Sequence, residues 1–76
     1  MARGTAVLRR GVRGSVTAFD ERTGLGEVTS EDGTTSPFHA TAVTDGSRRI
    51  DVGTDVTYDV VAGHVGRWEA DGIAPT

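Results

Sequence analysis

The chain has no cysteine, no lysine, and only four aromatic residues outside histidine among 76 positions: Phe19, Phe38, Tyr58 and Trp68. Without cysteine there is neither a disulfide framework nor a thiolate nucleophile or metal ligand. His39 and His64 alone do not make a metal set, so no metal or cofactor is expected. No apolar run approaches the roughly 18 residues that a membrane helix requires, and Ala6, Val7 and Leu8 are too few for a signal-peptide core, so a cytoplasmic protein with no membrane partner is expected. A phosphate-cradling glycine loop is also missing, as is a serine or histidine patterned as a nucleophile and its base; an enzyme is not expected.

The absence of lysine makes all eight basic residues arginine, which favours planar bidentate contacts over point-charge steering. They are unevenly placed. Residues 1–13 carry Arg3, Arg9, Arg10 and Arg13 with no acid, a net charge of +4, whereas residues 14–76 carry four arginines against eleven acids, a net charge of −7. A body that acidic repels a phosphate backbone on average, so nucleic-acid contact would depend on the arginine segment, a local arginine, or stacking. Residues 1–13 show neither helical nor strand periodicity and read as a flexible N-terminal arm, either solvated or touching nucleic acid or the acidic body.

A chain this short forms one domain with a small core, burying roughly 60% of its unfolded surface. From Gly14 onward its periodicity is that of strands. Val16 and Ala18 alternate with Ser15 and Thr17, and Phe19 breaks the alternation, marking a bulge or strand end. A polar turn over residues 20–24 leads to a second strand, Leu25 to Ser30, and Glu31, Asp32 and Gly33 form a glycine-closed turn. Pro37 cannot donate to a ladder, so the third strand begins there or lies at an edge. Val56, Tyr58 and Val60 alternate with Thr57 and Asp59; a turn over residues 63–66 precedes a last strand through Trp68 and Ala70 toward Ile73. Five short strands with glycine-rich turns and no helix predict an all-β, five-stranded antiparallel barrel over residues 14–76.

These residues resemble a cold-shock domain, an OB-type barrel. Gly14, Val16, Phe19 and Asp20 stand in register with the family's G-x-V-K-W-F-N strand, and Thr23 to Val28 occupy its first RNA-binding motif, K-G-F-G-F-I. Glu31, Asp32 and Gly33 match its turn. Ser36 to Ala40, followed by Thr41, Ala42 and Val43, occupy its second motif, V-F-V-H-F with S-A-I, after a turn one residue shorter. The similarity continues weakly through Ile50, Gly53, Val56 and Tyr58 and spans about residues 14–73. It implies a face that binds single-stranded RNA or DNA by stacking bases on outward aromatics.

Here those platform positions hold Ala18, Leu25, Glu27, Pro37 and Ala40, with His39 the one aromatic kept, and the family's basic positions fall on Thr17 and Thr23. Each stacked aromatic is worth about 1–3 kcal/mol, so the resemblance implies weak binding with little sequence preference. The expected nucleic-acid-binding residues are Phe19, Arg22, Leu25, His39 and Arg67. Phe38 is expected inside; Phe19 is either a rim stacking residue or a plug beside the bulge; Trp68 either closes a barrel end or offers a new apolar surface. The alternative reading keeps the barrel but makes its flatter apolar face a site for a protein partner or self-association.

Overall fold

The computed structural model describes residues 7–63 and 67–76. The chain is all-β: strands β1 (Val7–Asp20), β2 (Leu25–Ser30), β3 (Thr35–His39), β4 (Asp55–Ala62) and β5 (Trp68–Pro75), with one 3₁₀ turn at Ala40–Ala42. They form one antiparallel sheet in the order β3-β2-β1-β4-β5, curled into a half-barrel consistent with an OB-type barrel. The ends of the sheet approach where Val43 bridges Ile73 and Thr44 N–H donates to the Ile73 carbonyl at 2.9 Å.

The first strand is the element that makes curling possible. Its early half pairs with β4 and its late half with β2, overlapping only at Gly14 and Ser15. Bulges bend it at both halves. One lies between Arg9 and Val12, where Gly11 takes φ 61° and donates its N–H to Asp59 Oδ1 at 3.0 Å. A second shift of the early half lies between Val7 and Arg9, and the late half shifts between Val16 and Ala18.

The expected arm boundary at residue 13 is therefore corrected: residues 7–13 are strand, hydrogen-bonded to β4. Only Val12 among them is buried, because the Gly11 bulge interrupts the alternation that would have announced a strand. Residues 1–6, the rest of that arm, lie outside the described residues, as does the tip of the turn expected at 63–66.

The core is built mainly from valines, as the period-2 patterning dictates. Val12, Val16, Val28, Phe38, Val43, Val56, Tyr58, Val60, Ala70 and Ile73 pack together. In β5 both Ala70 and Ile73 point inward although three residues apart, because a register shift opposite Asp59 and a positive φ at Gly72 rotate the strand between them. Tyr58 is buried, and its hydroxyl makes no hydrogen bond among the described residues. Burial pushes that phenol above its ordinary pKa.

Candidate nucleic-acid interface

Pairing across β1, β2 and β3 arranges the outward side chains in three rows. Asp20, Leu25 and His39 form the first, Ala18, Glu27 and Pro37 the second, and Ser15, Thr29 and Thr35 the third. From the first row to the third is roughly 13 Å along the strands, and the three strands span roughly 10 Å. Such an area takes only a few bases. Leu25 and His39 stand directly opposite each other, Leu25 58% exposed and His39 exposed.

The two side chains are held by the chain that leads into and out of them. Asp20 Oδ1 accepts the Arg22 N–H at 2.9 Å, Gly24 N–H donates to the Asp20 carbonyl at 2.8 Å, and Thr23 Oγ1 accepts the Leu25 N–H at 3.3 Å. That turn delivers Leu25 into β2 with Arg22 exposed just before it. On the other strand, His39 caps the 3₁₀ turn: its Nδ1 accepts the Thr41 N–H at 3.2 Å, with the Thr41 hydroxyl 3.1 Å away. With Nδ1 an acceptor, the neutral ring carries its proton on Nε2. A fixed imidazole with a free N–H can stack on a base and donate a hydrogen bond to it.

Toward the third row the surface turns hydroxylic. Thr17 Oγ1 lies 3.0 Å from Thr29 Oγ1, which lies 3.1 Å from Thr35 Oγ1. This ladder borders an open groove of about 450 Å³ lined by Arg13, Ser15, Thr17, Thr29, Glu31 and Asp55. Arg13 is exposed and, two residues from Ser15 on the same strand, continues the outer face. It was hidden in the segment read as an arm; its even spacing from Ser15 was the available signal. Arg9 meets Asp32 at 3.4 Å and Arg49 meets Glu21 at 3.1 Å, so those two guanidiniums are engaged with carboxylates.

Of the residues expected to bind, Leu25, His39 and Arg22 gather at one end of the face. Phe19 does not join them. The bulge after Val16 reverses the facing of the next residues, so Ala18 turns outward and Phe19 turns in, half-buried against the core. Its ring stacks on Phe38 at a centroid distance of 6.0 Å and an interplanar angle of 4°. The two rings meet over Gly26, their common cross-strand neighbour, where a Cβ would lie 2.6 Å from Phe38 Cζ. Phe19 is thus the plug of the two expected alternatives.

Arg67 is exposed just ahead of β5, six residues and roughly 20 Å of strand from Ile73, where β5 reaches the Val43 seam, so pairing does not bring it to Leu25 and His39. Ala40, placed on the platform by the resemblance, is buried. Trp68 is 44% exposed and belongs to no core cluster.

Among the described residues no group of three or more histidine, aspartate or glutamate side chains is placed to hold a metal ion, and no helix is long and apolar enough to cross a membrane. No protein-family model matches the chain, and no curated protein matches it in sequence.

Proposed function

We propose that this protein is a cytoplasmic, non-enzymatic module of cold-shock type that binds single-stranded RNA or DNA weakly on the β1-β2-β3 face. The observation that carries the reading is the exposed Leu25–His39 pair, opposed across two strands and each anchored by its own turn. Leu25 offers an apolar surface and His39 a flat ring for one or two bases, while Arg13 and Arg22 stand beyond opposite ends of the rows to take phosphates. The hydroxyl ladder between them supplies donors and acceptors to sugar or base edges without charge. Most aromatics of a stacking platform being absent, affinity falls short of a full platform by several kcal/mol at about 1–3 kcal/mol each.

Titration of a short oligo(dT) or RNA into isotope-labelled protein at low salt tests this. Resonances of Leu25 and His39 shift, and binding weakens with salt with a log–log slope of about −0.7 per phosphate neutralised. Arg13→Ala makes that slope shallower by about one phosphate. An absence of shifts at millimolar ligand refutes the proposal.

A second reading has its own observation. Val7, Leu8 and Trp68 are exposed at the ends of β1 and β5 that flank the Val61–Ala62 end of β4, an apolar group apart from the Leu25 face and suited to self-association. Sedimentation separates the two: a monomer at high concentration that still responds to oligonucleotide excludes self-association as the function.

A further inference from the structure

The geometry points to Glu27 as a base-selecting residue that favours guanine over thymine or uracil, an inference that rests on the nucleic-acid reading of the face. Glu27 occupies the middle row, between exposed Ala18 on β1 and exposed Pro37 on β3. Neither neighbour brings a side-chain donor, and Pro37 has no N–H to offer. The Thr29 and Thr35 hydroxyls of the next row are taken up with each other and with Thr17, whose hydroxyl also reaches the Glu27 carbonyl at 3.4 Å rather than its carboxylate. Among the described residues no donor or arginine reaches the Glu27 carboxylate. The centre of the face is therefore an exposed acceptor-only group with no partner of its own.

Its position relative to the stacking pair decides what it can meet. Glu27 lies two residues along β2 from Leu25, roughly 7 Å, so a base resting on Leu25 and His39 extends an edge toward it. Guanine presents N1–H and the exocyclic N2–H side by side on its Watson–Crick edge, and two carboxylate oxygens accept both at once. Thymine and uracil present one N–H between two carbonyl oxygens, so the same carboxylate gains one bond and meets two lone-pair-bearing atoms. Cytosine and adenine each bring a single amino group and fall between.

The carboxylate thus does two things: it lowers affinity for single strands generally, through repulsion of the phosphates, and returns part of that loss only to a base with adjacent donors.

The test uses two DNA hexanucleotides, six thymidines in one and five thymidines with a central guanosine in the other, with the wild-type protein and E27Q, followed through the Leu25 and His39 resonances. A single guanosine keeps the strand from folding on itself. For the wild type the guanosine strand binds at least about fivefold more tightly, the low end expected for a bidentate base contact. In E27Q the all-thymidine strand binds more tightly than to wild type, and the guanosine advantage falls below about twofold, because Gln replaces one acceptor oxygen with a donor. Equal affinity of the two strands for wild type, or an advantage that survives in E27Q, overturns the role of Glu27 while leaving the interface intact. Failure of both strands to shift any resonance overturns the interface, and Glu27 with it.

Discussion

Leu25→Phe gives the proposed stacking surface a ring where the chain has an aliphatic side chain, and its effect follows from the exposure and pairing of that position. Leu25 is 58% exposed at the middle strand of the face, directly opposite His39, so a phenyl ring enters solvent and displaces nothing from the core. An aromatic stacked on a base contributes about 1–3 kcal/mol by alanine substitution. Leucine already supplies part of that as apolar contact, which places the gain near 1 kcal/mol, or roughly fivefold in Kd. Stability stays within about 0.5 kcal/mol, as for other solvent-facing substitutions. Leu8→Phe is the matched control, since Leu8 is 55% exposed but lies on the early half of β1, outside the three rows. Fluorescence anisotropy with a labelled oligo(dT), read beside thermal melts, separates the outcomes. If L25F binds no more tightly than wild type, or if L8F gains as much, the face is not where bases stack.

Three further outcomes concern what holds the face in shape. Gly26→Ala drives a Cβ to 2.6 Å from Phe38 Cζ and 2.7 Å from the Ala18 carbonyl oxygen, and overpacking of this kind costs about 1–3 kcal/mol; denaturant melts read the loss, and an unaltered midpoint contradicts the described ring contact. Tyr58→Phe removes a buried hydroxyl that has no hydrogen-bond partner among the described residues and raises stability by about 1 kcal/mol, whereas a loss would show that the hydroxyl is satisfied in solution. Asp32 accepts the Ser30 hydroxyl and the Thr34 N–H, with Arg9 beside it, which holds its carboxyl well below the ordinary 3.8. A depressed carboxylate stabilises the fold fully above its unfolded value and loses that contribution as pH falls below about 4, so D32N melts with a flatter acid limb than wild type. The difference is small, because Asp32 is exposed and salt screens it; identical limbs would mean that the turn does not hold the charge.

The strands that sequence periodicity reveals are those whose alternation nothing interrupts. In β4 Val56, Tyr58 and Val60 are buried on one side, as their spacing requires, and the Asp32–Gly33 turn and the edge position of Pro37 follow from turn chemistry and a missing N–H. The positions of Leu25 and His39 on one outer face were legible for the same reason, since β2 and β3 pair without a slip. What escaped lies at bulges. Gly11 hides the early half of β1, and the slip after Val16 exchanges the facing of Ala18 and Phe19, converting an expected contact residue into a core plug. The break at Phe19 announces a bulge or strand end in β1, but which of its residues turns outward is set by pairing with the opposing strand, which no local window of sequence contains. Arg13 was expected only as part of an arm that could touch nucleic acid, and its place on the outer face of β1 escaped for the same reason, because a residue in an arm has no face.

The acidic balance of the body does not describe the face that would bind. Asp45, Asp51, Asp55, Asp59, Glu69 and Asp71 belong to β4, β5 and the long connection before β4, whereas the three rows hold only Asp20 and Glu27. Asp20 is committed to the Arg22 N–H, and the exposed guanidiniums of Arg13 and Arg22 stand beyond opposite ends of the rows. Within the three rows the charges come close to cancelling; Glu21 and Asp32 in the turns pair with Arg49 and Arg9, Glu31 and Asp55 line the groove beside Arg13, and the rest of the negative surplus lies on β4, β5 and the connection before β4. A phosphate backbone meets repulsion on the β4–β5 side and near neutrality over the rows of Leu25 and Glu27, and the field between them falls away over about 8 Å at physiological ionic strength. Acidic strands can therefore orient a single strand without attracting it, by leaving one side on which stacking and two arginines decide the outcome. Neutralising Asp71 would then raise affinity on every sequence alike, while a change at Glu27 would alter which base is preferred.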